Sequence, residues 1–135
     1  MKFKLGDKAC LSKKFSERDV LNFSSTSGDE NPIHFDEDYA ARSRFGQRIV
    51  QGPMVTSLIG GILGSKIPGP GTIYLSQETS FKQAVFIDQE VTAWAEIINI
   101  REDKPIITLR TWVENDKNDV VIDGKAVVFF LEKID

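Results

Sequence analysis

The chain is poor in the residues that carry most redox, disulfide and metal chemistry. Cys10 is the only cysteine and His34 the only histidine among 135 residues. A lone cysteine excludes an intramolecular disulfide, and nothing requires an oxidising compartment, so a reduced, cytoplasmic setting is expected. Long apolar runs are missing too. The longest uncharged stretch, 49–65, is interrupted by Gln, Pro, Thr, Ser and four glycines, and its apolar centre is too short to span a bilayer. The N-terminal MKFKLGDKAC lacks the apolar core of a signal peptide, which argues against export. There is no dense Lys/Arg run, and the net charge is -3. A nucleic-acid partner, whose phosphates demand clustered positive charge, is therefore not expected, nor is a membrane.

What is present is an ordinary globular composition, with 41% hydrophobic residues, 27% charged residues and nine phenylalanines. The length suits one hydrophobic core and one domain over 1–135. Residues 8–15 read as a first strand. Ser16, with Asp19 three positions later, then marks the start of a helix running to about Ser25, where the run Ser24 to Gly28 competes for the backbone and ends it. A polar loop over 28–48 follows, and within it 36–44 predicts one or two helical turns. Residues 52–65, GPMVTSLIGGILGS, form a second helix with no charge on any face, as expected of a helix surrounded by protein. After the breaker Pro68-Gly69-Pro70-Gly71, four strands are predicted at 72–82, 90–101, 105–114 and 120–131, joined as an antiparallel meander.

An uncharged helix beside about five antiparallel strands is satisfied if the sheet curls around it, with Gly60, Gly61 and Gly64 allowing close approach. An α+β sandwich with the helix laid on one face is the alternative.

The polar loop holds the residues with chemical potential. His34 must perform any imidazole chemistry this chain has, although a single histidine is as readily structural. Asp29 lies five residues before it, with Asn31-Pro32 between. Pro32 fixes its own φ and pushes Asn31 towards an extended conformation, so a stiff bend brings carboxylate and imidazole to either side of one water. The arrangement suits hydration of a conjugated thioester, in which a proton is removed from water and another is delivered to the α-carbon. Asn31 is placed to brace the carboxylate through its amide. Gly52 stands at the N-terminus of the uncharged helix, where its N–H is an unpaired donor suited to a developing enolate oxygen; serving only a tight turn is the alternative.

The segment GDENPIHFD at 28–36 resembles the hydratase motif of the MaoC-like, or R-specific enoyl-CoA hydratase, family, Gly-Asp-x-Asn-Pro-aliphatic-His-x-Asp/Glu. Every specified position is met, by Gly28, Asp29, Asn31, Pro32, Ile33, His34 and Asp36. The resemblance covers nearly the whole chain, through IVQGPMVTSLIGGILG at 49–64, PGPGTIYLSQETSFKQAVFIDQEVTA at 68–93 and REDKPI at 101–106. It implies an α+β hot-dog domain, a curved antiparallel sheet wrapped around a long central helix, working as a homodimer with active sites at the subunit interface. It implies a hydro-lyase of fatty acid metabolism, with Asp29 and His34 as catalytic dyad, Asn31 orienting and Gly52 holding the thioester oxygen of an acyl-CoA substrate, and with no metal or redox cofactor. Two departures stand out. Gln51-Gly52 replaces the His-Gly found in many members, and Gly60 stands where some carry serine, which would widen the acyl tunnel. The same alignment makes Leu63 and Val127 tunnel candidates, with plain core packing the alternative.

Addition of water to a trans-2-enoyl-CoA, giving an (R)-3-hydroxyacyl-CoA, is thus the expected activity. A dehydratase working on acyl carrier protein or a specialised CoA substrate, and a non-catalytic acyl-CoA-binding module, are the rivals. Other patterns carry less. Asn22-Phe23-Ser24 is a sequon without an export signal, and His34 with Asp36 and Asp38 is a poor match to zinc ligand sets. Arg42, Arg44 and Arg48 read either as a solvated loop or as contacts for CoA phosphates.

Overall fold

The computed structural model describes residues 3–131, so residues 1–2 and 132–135 of the expected domain lie outside the described residues. The elements follow the sequence closely: β1 (Lys8–Lys14), α1 (Glu17–Ser27), a 3-10 turn (Pro32–His34), α2 (Glu37–Ala41), α3 (Gly52–Ser65), β2 (Thr72–Phe81), β3 (Glu90–Ile100), β4 (Ile106–Asn115) and β5 (Val120–Phe130). The start of α1 is a capping box: Ser16 Oγ accepts from Asp19 N, and the Asp19 carboxylate accepts from Ser16 N. Its end is Gly28 at φ 82°, a left-handed conformation that glycine adopts without steric penalty. The chain therefore turns sharply just before Asp29.

The five strands form one antiparallel sheet in the order β1-β3-β4-β5-β2. This corrects the expected four-strand meander, because only β3, β4 and β5 follow one another in space while β2 pairs with β5 at the far edge. The reason lies in residues 82–89, a connection too long for a hairpin. It pairs with the segment ahead of α3, with Val50 N–H donating to Val85 O at 2.8 Å and an Ile49–Phe86 bridge.

Alternation along the strands decides which face meets the helix. Val91, Ala93, Ala95 and Ile97 of β3, and Ile107, Leu109 and Val113 of β4, are buried with Met54, Val55, Leu58, Ile59, Ile62 and Leu63 of α3 in one core. Alanines at 93 and 95 leave room for the helix, which packs against β1, β2, β3 and β4. The sheet is curved around α3 as expected, but within one chain the enclosure is incomplete. Pro53, Ser57, Gly61 and Gly64 form an exposed stripe of small residues. Side chains added at Gly60 and Gly61 would meet Tyr74 and Leu11 at 3.7 and 3.4 Å, whereas Gly64 faces open space, so close approach does not explain that glycine.

Candidate active site

The loop after α1 is held by its own hydrogen bonds. Ser24 Oγ, in the last turn of α1, donates to Asp29 O at 2.6 Å, and Asp29 Oδ1 accepts from Asn31 N at 3.0 Å. Asn31 thus braces the carboxylate through its backbone N–H. Its side-chain oxygen turns the other way and accepts from Ile33 N at 3.2 Å, capping the 3-10 turn that presents His34. The expected Pro-stiffened bend is this turn, with Pro32 at its first position.

His34 is buried, and its Nδ1 lies 2.7 Å from Ile49 O. A carbonyl only accepts, so Nδ1 carries a proton and in the neutral ring Nε2 keeps its lone pair. Nε2 stands 3.5 Å from Asp29 Oδ2, with the Asp29 side chain 36% exposed and that of His34 only 7%. Two acceptors face each other across a gap open to solvent on the carboxylate side. One water can give a hydrogen to each.

The same short segment that orients His34 leads into α3. Ile49 N–H donates to Ile33 O at 3.3 Å, and Gly52 begins the helix three residues after Ile49. Being in the first turn, the Gly52 N–H has no partner within the helix, and the capping residue Gln51 makes no side-chain cap. The Phe81 ring lies against Gly52, where a Cβ would come within 2.7 Å of Cε1. A cavity of about 290 Å³ opens here, walled by Arg44, Phe45, Ile49, Phe81, Lys82 and Ile122 among others. Asp29 and His34 are not on its wall. A shared pocket holding both dyad and glycine is therefore not closed within one chain.

The remaining expected residues separate. Gly60 lines a groove of about 420 Å³ with Pro53, Thr56, Tyr74 and Leu75, and the Tyr74 ring occupies the space that glycine vacates. Leu63 is fully buried in the core. Val127 pairs with Thr108 and Ser76, on the face of β5 opposite Ala126 and Val128, so one chain does not bring it to the helix. Asp36 caps α2 by accepting from Tyr39 N, and among the described residues no group of three or more His, Cys, Asp or Glu is placed to hold a metal. Arg48 is engaged by Glu17 at 2.9 Å and Glu37 at 3.5 Å, which joins the starts of α1 and α2; Arg44, by contrast, lies over Phe45 on the cavity wall. Sequence reading missed the Ile49 carbonyl, which no residue type signals, and Phe81 and Lys82, which only the pairing of β2 with β5 carries to Gly52.

Fold and site together define a hot-dog protein with an aspartate–histidine pair beside the N-terminus of its central helix. The chain belongs to the MaoC-like domain family, whose model matches residues 5–118. It is 45% identical over 124 residues to the (R)-specific enoyl-CoA hydratase of Aeromonas caviae, covering 92% of each chain. With the enzyme of the same name from Rhodospirillum rubrum it shares 39% over 125 residues, 93% of this chain and 86% of that one. The solved structure of the (R)-hydratase from A. caviae involved in PHA biosynthesis superposes with a TM-score of 0.94 at 43% identity, covering 96% of this chain and 98% of that one.

Proposed function

We propose that this protein is an R-specific enoyl-CoA hydratase, a hydro-lyase that adds water to a trans-2-enoyl-CoA to give the (R)-3-hydroxyacyl-CoA. The observation that carries the reading is the Asp29–His34 pair, two hydrogen-bond acceptors 3.5 Å apart with the imidazole tautomer fixed by Ile49 O. In the proposed reaction both side chains hold one water. As its oxygen bonds to C3 of the enoyl group, a proton passes to the dyad and the C2–C3 electron pair moves towards the thioester oxygen. The Gly52 N–H, at the positive end of α3, donates to that oxygen. Return of a proton from the dyad to C2 completes the addition. No electrons are exchanged with a cofactor, because water is added across the bond without net oxidation or reduction.

Arg44 and Lys82, on the wall of the cavity beside Gly52, are cations suited to CoA phosphates at its mouth and support CoA as the carrier. A second copy of the chain, proposed as the homodimer partner in a cytoplasmic setting, would close the pocket that one chain leaves open.

Purified protein given crotonyl-CoA should remove the conjugated-thioester absorbance and yield the R alcohol. Asp29→Asn and His34→Ala are each expected to lower kcat by roughly 10²–10⁴-fold, the usual contribution of a positioned acid or base. Wild-type rates in both variants would sink the assignment of the dyad. A large preference for matched carrier-protein thioesters would move the substrate from CoA to acyl carrier protein, and tight acyl-CoA binding with no turnover would leave a binding module.

A further inference from the structure

Gln51 is fully buried, and its side chain is not used by the chemistry above. Its Nε2 donates to Val20 O of α1 at 3.0 Å. Its Oε1 is the one buried side-chain nitrogen or oxygen without a partner among the described residues. Stability does not account for such a residue. An unpaired buried acceptor is destabilising, whereas an apolar side chain of equal length would fill the same volume without that penalty. Val20 O would not be stranded by the loss either, since it lies inside α1, where the helix supplies its own amide partner.

The location explains more. Gln51 immediately precedes Gly52, and its backbone oxygen accepts from Met54 N and Val55 N as α3 begins. Capping side chains commonly fold back onto the first helical turn, but this one reaches across to α1; with Pro53 lacking an N–H and Met54 N held by Gln51 O, the Gly52 N–H is the amide of that turn left without a helical partner. One turn along α1 from Val20, Ser24 Oγ holds Asp29 O at 2.6 Å. The carboxylate loop and the start of α3 are thus both referenced to the single turn Val20 to Ser24. Two residues before Gln51, the Ile49 carbonyl fixes His34.

We propose that Gln51 is a positioning residue, which locks the start of α3 to α1 so that the Gly52 N–H keeps its place relative to Asp29 and His34. This rests on the hydratase reading for its kinetic consequences, though not for its structural one. A misplacement of about 1 Å in such a frame lowers rate by up to about a hundredfold.

Gln51→Met keeps the length and removes both polar atoms. With crotonyl-CoA its kcat should fall by roughly 10- to 100-fold, with KM within about threefold of wild type. Its Tm should hold or rise, because the unpaired acceptor is gone. In ¹⁵N–¹H spectra the His34 amide resonance, remote in sequence from the substitution and tied to the Ile49 carbonyl, should move, while Ala93 in the middle of β3 stays in place. Gln51→Glu should depend on pH beyond the wild-type profile. Its kcat relative to wild type should rise as pH falls, since only the protonated carboxyl can donate to Val20 O and burial favours that form.

A Gln51→Met enzyme with wild-type kcat, or one whose Tm drops in step with its activity, overturns the proposal, as does a pH-independent ratio for Gln51→Glu. Absence of turnover in the wild type with every enoyl-CoA would instead strike the hydratase reading. The His34 resonance then decides the positioning role on its own, for or against.

Discussion

At the residue scale, side chains here act mainly through a few well-directed hydrogen bonds. Asp19 is the clearest case outside the site. The Ser16 backbone N–H, more than any other group, holds its carboxyl below the usual 3.8; burial, the next largest influence, opposes it, and the Ser16 hydroxyl and Lys13 add smaller lowering effects. A carboxyl whose folded pKa lies below its unfolded value stabilises the fold above the unfolded pKa, and that contribution fades as pH falls through the folded one. Asp19→Asn is therefore expected to melt below wild type at pH 7, with the difference closing well under pH 3.8, the ordinary value. Thermal melts of both proteins across that range check it; a deficit equal at every pH would place the effect in packing rather than charge. The capping box was legible because Ser-x-x-acid is a local pattern. Gln51 was legible only as a departure from its relatives, since its partner Val20 lies 31 positions away.

At the element scale, the pairing of β2 with β5 decides where the cavity walls come from. Opposite Thr79, Gly124 lets the two strands approach so closely that an added Cβ would meet the Glu78 carbonyl oxygen and lie 3.1 Å from Thr79 Cα. Backbone cannot yield as a side chain does. Gly124→Ala should destabilise by about 1–3 kcal/mol, a fall in Tm of roughly 3–15 °C for a chain of this size. Gly64→Ala is the counterpart: it has open space and a helical position, so it should raise stability by up to about 1 kcal/mol. Denaturant or thermal unfolding of the two variants tests both signs, and a harmless Gly124→Ala would mean the strands are not so closely set. Periodicity and breakers gave all five strands and the three main helical segments to within a few residues. Their order in the sheet was not legible, because nothing local distinguishes a crossing of residues 82–89 from a long hairpin loop.

At the scale of the whole molecule, the chain ends its sheet on an edge that invites company. On β2, Ile73, Tyr74 and Leu75 are 48, 45 and 53% exposed, and one side of the strand has no partner among the described residues. An exposed apolar edge is a template for another strand, and a buried charge on it opposes pairing. The protein, 15.1 kDa per chain, is expected to run as a dimer of about 30 kDa by light scattering. Leu75→Lys should shift it to monomer and, on the proposed dimeric site, lower hydration in proportion. A wild-type protein that stays monomeric at micromolar concentration yet turns over fully would refute the dimeric site.

The sequence by itself determined the elements, the uncharged central helix and the stiff turn after Gly28, and it singled out Asp29, His34 and Gly52 as the candidates for chemistry, because each is written in neighbouring residues through propensity, capping, period or motif. Only the tertiary structure decided that Ile49 O fixes the His34 tautomer, that Phe81 rests on Gly52, that Val127 faces away from the helix and that Gln51 spans to α1. Those are contacts between segments far apart in the chain or with backbone atoms. Side-chain chemistry is encoded locally, whereas the distances between reacting groups depend on how the whole sheet closes around α3.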